Sequence, residues 1–331
     1  MSRLTLRTKI ERWPLVEPFR ITGHTWEALE VLLVSLGKDG HVGRGEACGV
    51  YYRNDNPASM IKHVESLRTT IEAGISRESL QSMLPPGGAR NALDCALWDL
   101  EAKISGRPAW QVAEVENPRR LMTTFTCGAN SPEKMAAAAR AYTRARAIKL
   151  KLTGEPIDAE RVRAVRKARA DVWLGVDANQ GFTVALMERL MPTLTEARVA
   201  LIEQPFPVGQ ESLLDGFQSP IPIAADESVQ CLADIAGLTR RFNVVNIKLD
   251  KCGGLTEALA MARLAHDLGL ETMIGNMLGT SLAMAPAFLV GQLCRVVDLD
   301  GPVFMKSDRA VSVQYADGFI TCPPQLWGHA I

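Results

Sequence analysis

Residues 147–152 read Ala-Ile-Lys-Leu-Lys-Leu. Apolar and basic side chains alternate here with the period of two that is typical of a β-strand. The apolar residues would face covering helices, so Lys149 and Lys151 would point to the opposite, inner side. Burying two lysines is costly. The alternative interpretation is a frayed strand end with solvated lysines.

Short apolar strands of this kind alternate with helical stretches from about residue 121 to residue 301. The predicted strands cover residues 123–128, 147–152, 172–179, 199–205, 222–228, 243–250, 271–277 and 295–301. The predicted helices cover residues 132–146, 159–170, 184–197, 211–217, 232–241, 256–268 and 281–294. Such alternation indicates parallel strands, and eight strands joined by seven helices predict a closed (β/α) barrel of the TIM type. The alternative, an open doubly wound sheet, would be expected to carry a glycine-rich dinucleotide-binding motif after its first strand. Residues 127–130 (Cys-Gly-Ala-Asn) are not such a motif.

The residues before the barrel have a mixed α+β pattern. Residues 30–36 and 41–47 read as strands joined by a turn at Lys38-Asp39-Gly40, and residues 57–73 and 89–104 have helical spacing. We therefore expect an α+β N-terminal domain over residues 1–115, a catalytic barrel over 116–301, and a C-terminal segment, 302–331, that returns to the N-terminal domain.

Composition excludes several classes of protein. The 37 acidic and 37 basic residues cancel, so nothing predicts a nucleic-acid or anionic-membrane surface. The seven cysteines are scattered, with no Cys-x-x-Cys, and no stretch of signal-peptide type follows the N-terminus. Residues 281–294, the longest apolar stretch, are too short to span a bilayer and predict a buried helix. These features predict a cytoplasmic protein.

Acidic residues recur where successive barrel strands end. Asp177 and Asn179 end the third strand, Glu203 the fourth and Asp226 the fifth, all in the inward phase. Three neighbouring carboxylates repel one another unless a cation lies between them. Only oxygen ligands converge, so we expect Mg²⁺ bound by Asp177, Glu203 and Asp226.

Lysines are expected on two opposite sides of these acids. Lys248 and Asp250 share the inward phase of the sixth strand, whereas Lys251 falls in the opposite phase. Strands two and six are diametrically opposed in a ring of eight, so Lys151 and Lys248 would face each other across the site. Asp298 and Asp300 end the eighth strand, opposite the fourth, where they would hold a positively charged substrate group.

This arrangement suits removal of the proton beside a carboxylate. Mg²⁺ would stabilise the enolate oxygens, and Lys149 together with the metal would lower the pKa of Lys151 so that it acts as a base. A base on each face permits removal on one side and return on the other, which inverts the centre. The alternative is that one lysine only stabilises charge, as in a lyase.

The motifs together resemble the enolase superfamily, muconate-lactonizing subgroup. They are Lys149-x-Lys151, Asp177-Ala-Asn, Glu203-Gln-Pro, Ala225-Asp226-Glu-Ser, the run 246–254 (Asn-Ile-Lys-Leu-Asp-Lys-Cys-Gly-Gly), and residues 89–103, which are similar to the family's cap-domain helix. Within the subgroup, Asp298-Leu-Asp300-Gly-Pro and residues 276–281 look most like the dipeptide epimerases, especially those of L-Ala-D/L-Glu in murein-peptide metabolism. The resemblance covers nearly the whole chain.

The resemblance implies a role for each candidate residue. Lys151 and Lys248 would be the acid/base pair with Lys149 as helper, and the Asp298/Asp300 pair would bind the α-ammonium group of a dipeptide. Thr126, inward on the first strand, would touch the substrate. The loop at 17–26 would close over the side chain of the second residue, and its polar candidates are Arg20 and His24, with Arg53 on a second loop. The resemblance also implies a homo-oligomer.

Other members of the superfamily are alternatives. A mandelate-racemase-like enzyme or a sugar-acid dehydratase would use a histidine near the seventh strand, where residues 274–277 read Ile-Gly-Asn-Met. Muconate cycloisomerase, o-succinylbenzoate synthase and N-acylamino-acid racemase share the lysines and metal ligands but need no ammonium site. A retired scaffold on the same fold would normally have lost a ligand or a lysine.

Overall fold

The computed structural model of the protein describes residues 3–21 and 24–329, and the side chains of Arg20, Ile21 and His24 are outside that description. The N-terminal domain begins with an antiparallel sheet of three strands: β1 (Thr5–Ile21), β2 (His24–Lys38) and β3 (His41–Ala47). The tight turn between β2 and β3 places Asp39 and Gly40 at positive φ, 51° and 81°. This is the left-handed conformation that asparagine, aspartate and glycine adopt most easily.

Helices cover one face of this sheet. They are α1 (Pro57–Ser66), α2 (Arg68–Gly74), α3 (Arg77–Met83) and α4 (Gly88–Ser105), followed by the short α5 (Ala109–Val112). The side chain of Asn56 caps α1 and that of Ser76 caps α3, each by accepting from the backbone three residues on. Helix α4 lies directly on β3, because Gly43 and Gly45 leave room for its backbone carbonyls at Ala96 and Ala92.

Eight parallel strands form the second domain within the described chain. They are β5 (Thr124–Cys127), β6 (Ala147–Lys151), β7 (Trp173–Asp177), β8 (Val199–Glu203), β9 (Ile223–Ala225), β10 (Val244–Ile247), β11 (Glu271–Ile274) and β12 (Val296–Val297), and they neighbour one another in chain order. Their outer side chains, such as Ile148 and Leu150, are buried beneath helices. The sheet therefore curls into a TIM-type barrel, as predicted.

The barrel helices are α6 (Pro132–Ala141), α7 (Asp158–Ala168), α8 (Val184–Glu196), α9 (Leu249–Cys252), α10 (Leu255–Asp267) and α11 (Ser281–Gly291). Two stretches predicted as helices, after β8 and after β9, form 3₁₀ turns at Glu211–Leu214 and Leu232–Leu238 instead. The glycines and the proline around these stretches (Gly209, Gly216, Gly237 and Pro220) shorten the run of helix-forming residues.

Side chains, rather than a backbone ladder, bridge the seam between the first and eighth barrel strands. The backbone nitrogen of Leu299 donates to Thr123 Oγ1 at 3.0 Å, and that of Thr126 donates to Asp300 Oδ2 at 2.7 Å. Thr124 Oγ1 donates to Asp298 Oδ1. The barrel is thus nearly closed, and the two aspartates of the predicted ammonium site are part of the closure.

The end of the chain contacts both domains. Strands β13 (Gln314–Ala316) and β14 (Phe319–Thr321) form a small sheet with β4 (Leu121–Met122). Arg309 pairs with Glu11 and Glu46 of the N-terminal sheet, both at 2.6 Å. Trp327 Nε1 donates to the backbone oxygens of Arg44 and Cys95. These contacts join the end of the chain to the N-terminal sheet, and the domain bounds 1–115, 116–301 and 302–331 stay predictions.

Strand β1 and the helices α3 and α5 were not predicted. Residues 5–21 mix charged, apolar and proline residues without a clear alternation, and β1 is defined by its pairing with β2 from Thr5–Gly37 onwards. None of the helices in residues 3–21 and 24–329 is long and apolar enough to cross a membrane.

Candidate active site

A cavity of about 520 Å³ lies where the carboxyl ends of the barrel strands meet the N-terminal domain. Its floor is charged and comes from barrel strands: Lys149, Lys151, Asp226, Lys248, Asp298 and Asp300. Its roof comes from β1, β2 and the loop after β3. The site of a parallel barrel is expected at this end because the strands present their last inward side chains there.

Three carboxylates converge at the ends of β7, β8 and β9. Asp177, Glu203 and Asp226 are buried, and one oxygen from each lies within 4.8 Å of the others. The donor set is made of carboxylate oxygens alone, which fits a hard divalent cation and Mg²⁺ in particular. These residues would hold the ion that the sequence predicts.

Two of these acids, Glu203 and Asp226, have perturbed pKa values. Burial and the neighbouring carboxylate of Asp177 raise the pKa of Glu203 to about 7. Burial alone would also raise the pKa of Asp226, but the ammonium groups of Lys248 and Lys251 outweigh it and lower that pKa. Carboxylates packed this closely share the cost of ionisation, which is the electrostatic condition that a bound cation relieves.

The two candidate bases lie on opposite sides of the acids. Lys151 Nζ, at the end of β6, is 2.5 Å from Asp177 Oδ2, and Lys248 Nζ, just after β10, is 2.6 Å from Asp226 Oδ2. Strands β6 and β10 are four positions apart in the sheet. Burial favours neutral Lys248, but Asp226 and Glu203 together raise its pKa.

Lys149 lies deeper than Lys151. Its Nζ contacts Asp298 Oδ2, lies 3.3 Å from Glu203 Oε2 and 3.9 Å from Asp177 Oδ2. Burial opposes its charge, yet these three carboxylates raise its pKa well above the ordinary value. Lys149 is therefore held as a cation among the metal-site acids.

The pKa values of Asp298 and Asp300 are shifted in opposite directions. Lys149 lowers the pKa of Asp298 despite its burial. Burial and the charge of Asp298 raise the pKa of Asp300 to about 6. Both line the cavity, as does Thr126.

The roof is aromatic. Five rings form a row in which each contacts the next. The distances between ring centroids are 4.8 Å for Phe304–Phe19, 6.0 Å for Phe19–Trp26, and 5.1 Å for both Trp26–Tyr51 and Tyr51–Tyr52. These five residues line the cavity. Phe19 and Trp26 lie in the predicted substrate loop 17–26, and Tyr51-Tyr52 directly precede the candidate Arg53, but no aromatic roof was predicted.

The polar candidates of the roof are only partly described. The side chains of Arg20 and His24 lie outside the described residues. Arg53 is exposed, and its Nη1 donates to Gln230 Oε1 at 3.3 Å. Gln230 also donates to the hydroxyl of Tyr52, which joins this loop to the barrel rim.

Three further residues of the site were not anticipated in their roles. Lys251 is buried in α9 and donates to Asp226, and Asn246 Nδ2 donates to Glu203 Oε1 at 2.6 Å. Glu227 lines the cavity beside Asp226, and burial with the charge of Asp226 raises its pKa to about 7. Their only sequence signal is their place one to three residues from a candidate ligand or base.

One expectation about the sixth strand is wrong. Asp250 was expected to point inward with Lys248, but β10 ends at Ile247 and the chain turns into α9. Asp250 Oδ1 instead accepts from the backbone nitrogens of Cys48 (3.0 Å) and Gly49 (2.9 Å) in the N-terminal domain. The helical turn breaks the alternation on which the inward phase was assigned.

A capped barrel with three convergent carboxylates and opposed lysines defines a class of metal-dependent proton-transfer enzymes. The family model for the enolase C-terminal domain-like fold matches residues 134–329, and that for the mandelate racemase/muconate lactonizing enzyme N-terminal domain matches residues 3–113. The chain belongs to the enolase superfamily, in its mandelate racemase/muconate lactonizing group. Within that group it is an isomerase, an epimerase or racemase.

Two curated relatives bear on the activity. The L-Ala-D/L-Glu epimerase of Escherichia coli is 38% identical over 317 residues, 95% of this chain and 98% of that protein. The N-acetyl-D-glutamate racemase of a Pseudoalteromonas species is 43% identical over 255 residues, 76% of this chain and 79% of that protein.

Two solved structures share the architecture. An enolase family member from Agrobacterium tumefaciens with homology to dipeptide epimerases, bound to sodium and L-Ala-L-Glu, is 38% identical with a TM-score of 0.95, covering 98% of this chain and 100% of that one. The dipeptide epimerase of Methylococcus capsulatus, bound to Mg and L-Arg-D-Lys, is 29% identical with a TM-score of 0.91, covering 98% of each chain.

Proposed function

We propose that the protein epimerises the α-carbon of the C-terminal residue of a dipeptide of the L-Ala-D/L-Glu kind, with Mg²⁺ as cofactor. The observation that carries the proposal is the placement of the two lysines. Lys151 and Lys248 lie at the ends of strands that are four positions apart, the three metal-site acids lie between them, and both lysines line the same cavity. The likeness to epimerases of dipeptides supports it.

The reaction is a 1,1-proton transfer. One lysine, as the neutral amine, takes the α proton, and the C–H electron pair becomes the enolate of the adjacent carboxylate. The second lysine, as an ammonium ion, donates a proton to the opposite face of the same carbon. The opposite configuration results, and the two lysines exchange protonation states.

Asp177, Glu203 and Asp226 would hold the Mg²⁺. When bound, it would stabilise negative charge on the substrate carboxylate and offset the charge of the acids that raise the pKa of Lys248. Lys149, fixed as a cation between Glu203, Asp177 and Asp298, adds positive charge at the same place. The buried floor strengthens these interactions because water is excluded.

The dipeptide's free amine would meet the carboxylates after β12, as the resemblance implies. The aromatic roof would cover the second residue's side chain, with Arg12 at the cavity rim and the exposed Arg53 beside Tyr52 as cations for an acidic group.

Racemisation of an N-acylamino acid is the second candidate function. One observation favours it: Asp298 forms an ion pair with Lys149. Of the two aspartates expected to bind a substrate ammonium group, only Asp300 has no ion-pair partner among the described residues. An N-acylamino acid needs no ammonium site at all. The likeness to an N-acetyl-D-glutamate racemase also supports this candidate.

The test compares both substrate classes. Enzyme with MgCl₂ is incubated in D₂O with L-Ala-L-Glu, L-Ala-L-Phe, L-Ala-L-Lys and N-acetyl-L-Glu. Loss of the α proton is followed by NMR, and formation of the dipeptide diastereomer or the N-acetyl-Glu enantiomer by chiral chromatography. We expect L-Ala-L-Glu to be epimerised faster than the other substrates. Turnover of N-acetyl-L-Glu without turnover of any dipeptide would replace it by the second candidate.

A further inference from the structure

Asp250 joins the two domains two residues after a candidate base. It is 6% exposed, and its Oδ1 accepts from the backbone nitrogens of Cys48 at 3.0 Å and Gly49 at 2.9 Å. Cys48 and Gly49 directly follow β3 in the N-terminal domain, whereas Lys248 and Asp250 follow β10 in the barrel. The proton transfer proposed above gives this buried carboxylate no chemical task.

We propose that Asp250 is a positioning residue for Lys248. By accepting from Cys48 and Gly49, it fixes the helical turn α9, and with it the backbone of Lys248, against the N-terminal domain. That domain then places one of the two bases in addition to covering the substrate. The role of Lys248 as a base rests on the function proposed above, whereas the fixing of the turn does not.

Helix α9 needs contacts from outside because it is a single turn of four residues, Leu249–Cys252. A lone helical turn is unstable, since many dihedral angles are fixed for few hydrogen bonds. The backbone oxygen of Lys248 accepts from the backbone nitrogens of Lys251 at 3.0 Å and Cys252 at 3.1 Å. The backbone of Lys248 is thereby tied to the turn, and a shift of α9 displaces this base.

Three side chains anchor the turn. Lys251 donates to a metal-site acid within the barrel. Arg90 of α4, which is 3% exposed, donates from Nη2 to the backbone oxygen of Cys252 at 2.6 Å, at the end of the turn. Asp250 lies near its start and is the anchor closest to Lys248 along the chain. Loss of the contact at Asp250 should therefore affect this base most directly.

The loop that Asp250 holds also carries part of the roof. Gly49 has a positive φ of 80°, and a Cβ there would overlap the backbone oxygen of Asp55, so the loop follows a tightly constrained course. Tyr51, two residues further on, lines the cavity. A shift of this loop would change the fit of any substrate, whichever configuration its α-carbon has.

An effect on Lys248 can be separated from an effect on the roof, because each lysine serves one face of the α-carbon in the proposed reaction. The initial loss of the α proton into D₂O from one diastereomer reports on Lys248, and that from the other reports on Lys151. Displacement of Lys248 slows proton loss from one diastereomer. A loosened roof, a weaker metal site or partial unfolding slows both.

The test uses two substitutions of Asp250 in the full chain. Asp250→Ala removes both hydrogen bonds to the N-terminal domain, and Asp250→Asn, its matched control, removes the charge but keeps an oxygen that can accept. Each variant is incubated with Mg²⁺ in D₂O, separately with the two diastereomers of the best wild-type substrate, or with the two enantiomers if that substrate is an N-acylamino acid. Lys248→Ala identifies the form that needs Lys248. Crystals of both Asp250 variants with Mg²⁺ locate Lys248 Nζ.

In Asp250→Ala, we expect the form that needs Lys248 to lose its α proton roughly 10–100-fold more slowly than in the wild type, because a small misplacement of a reacting group has effects of this size. The other form should be slowed much less. The ratio of the two rates within one sample does not depend on how much of the variant is folded. Asp250→Asn should restore most of the lost rate. Lys248 Nζ should be displaced from Asp226 in Asp250→Ala and remain beside it in Asp250→Asn.

Equal slowing of both forms in Asp250→Ala, or an unmoved Lys248 Nζ in its crystals, would overturn the positioning role. Failure of the proposed function gives a different result: Lys248→Ala would still remove the α proton from both forms. In that case the place of Lys248 in the Asp250→Ala crystals still decides whether Asp250 fixes the turn.

Discussion

Lys251 holds Asp226 at two points: its Nζ lies 2.5 Å from the backbone oxygen of Asp226 and 2.6 Å from Oδ1. Lys251 is only 1% exposed, and burial lowers its pKa even though Asp226 raises it. A buried lysine committed to one metal-site acid fixes the rotamer of that acid. The other oxygen, Oδ2, remains with Lys248.

Replacing Lys251 tests this support for the metal site. Lys251→Met keeps the length and removes the charge, so Asp226 loses two hydrogen bonds and its orientation. We expect Mg²⁺ affinity, measured by isothermal titration calorimetry, to fall roughly 10–100-fold, as is usual when a partner of a metal ligand is lost. Lys134→Met on the exposed surface of α6 is the control and should bind Mg²⁺ like the wild type. Unchanged affinity in Lys251→Met would mean that Asp226 needs no such support.

The contact between β3 and α4 predicts a large effect of one methyl group on stability. A Cβ at Gly45 would overlap the backbone oxygen of Ala92 and lie 2.7 Å from the backbone nitrogen of Ala96. Backbone atoms within a helix cannot move aside as the end of a flexible side chain can. Gly45→Ala should therefore lower the free energy of unfolding by about 1–3 kcal/mol or more. Gly237→Ala, where nothing lies within 4 Å of the added Cβ, is the matched control. Equal urea midpoints for the two variants would contradict the close packing.

Asp250 predicts a pH-dependent difference in stability. Burial raises its pKa to about 7, with Asp55 and Glu46 adding to the shift against hydrogen bonds from Gly49 and Cys48. An unfolded aspartate ionises near 4. Between these values the folded protein binds more protons than the unfolded chain, so the wild type loses stability as pH rises from about 4 to about 7.

Asp250→Asn removes this titration but keeps an oxygen that can accept from Cys48 and Gly49. The stability of the variant relative to the wild type should therefore increase with pH across that window, by roughly 1–4 kcal/mol, and level off above it. Urea unfolding at pH 4.5, 6 and 7.5 measures this difference. A difference that stays constant or decreases with pH would show that Asp250 is already ionised at the lower end.

Much of the barrel could be predicted because its signals are local. Each strand carries its own apolar alternation, and Asp177, Glu203 and Asp226 follow in the same phase at three consecutive strand ends. The right order of strands then brings the acids together without further information. Lys149 and Lys151 in one short strand have the same property.

The remaining features depend on contacts between distant parts of the chain. Strand β1 is recognisable only through its pairing with β2, and Asp250 leaves the inward phase because a helical turn begins after Lys248. The side-chain contacts of Asp298 are made with Thr124 and Lys149, which lie 174 and 149 residues away from it in sequence. A period of two in one strand carries no information about such partners.

The cytoplasmic location and the homo-oligomer stay predictions.

In the proposed reaction, Lys151 and Lys248 serve opposite faces of one α-carbon. This is tested by α-proton exchange in D₂O with Lys151→Ala and Lys248→Ala, each incubated with Mg²⁺ and separately with the two diastereomers of the best substrate. Neither variant should epimerise, with rates reduced by roughly 10²–10⁴. Each should still exchange the α proton of one diastereomer without inversion, and the diastereomer exchanged should differ between the two variants. Exchange of the same diastereomer by both variants, or epimerisation retained in either, would contradict the two-lysine account.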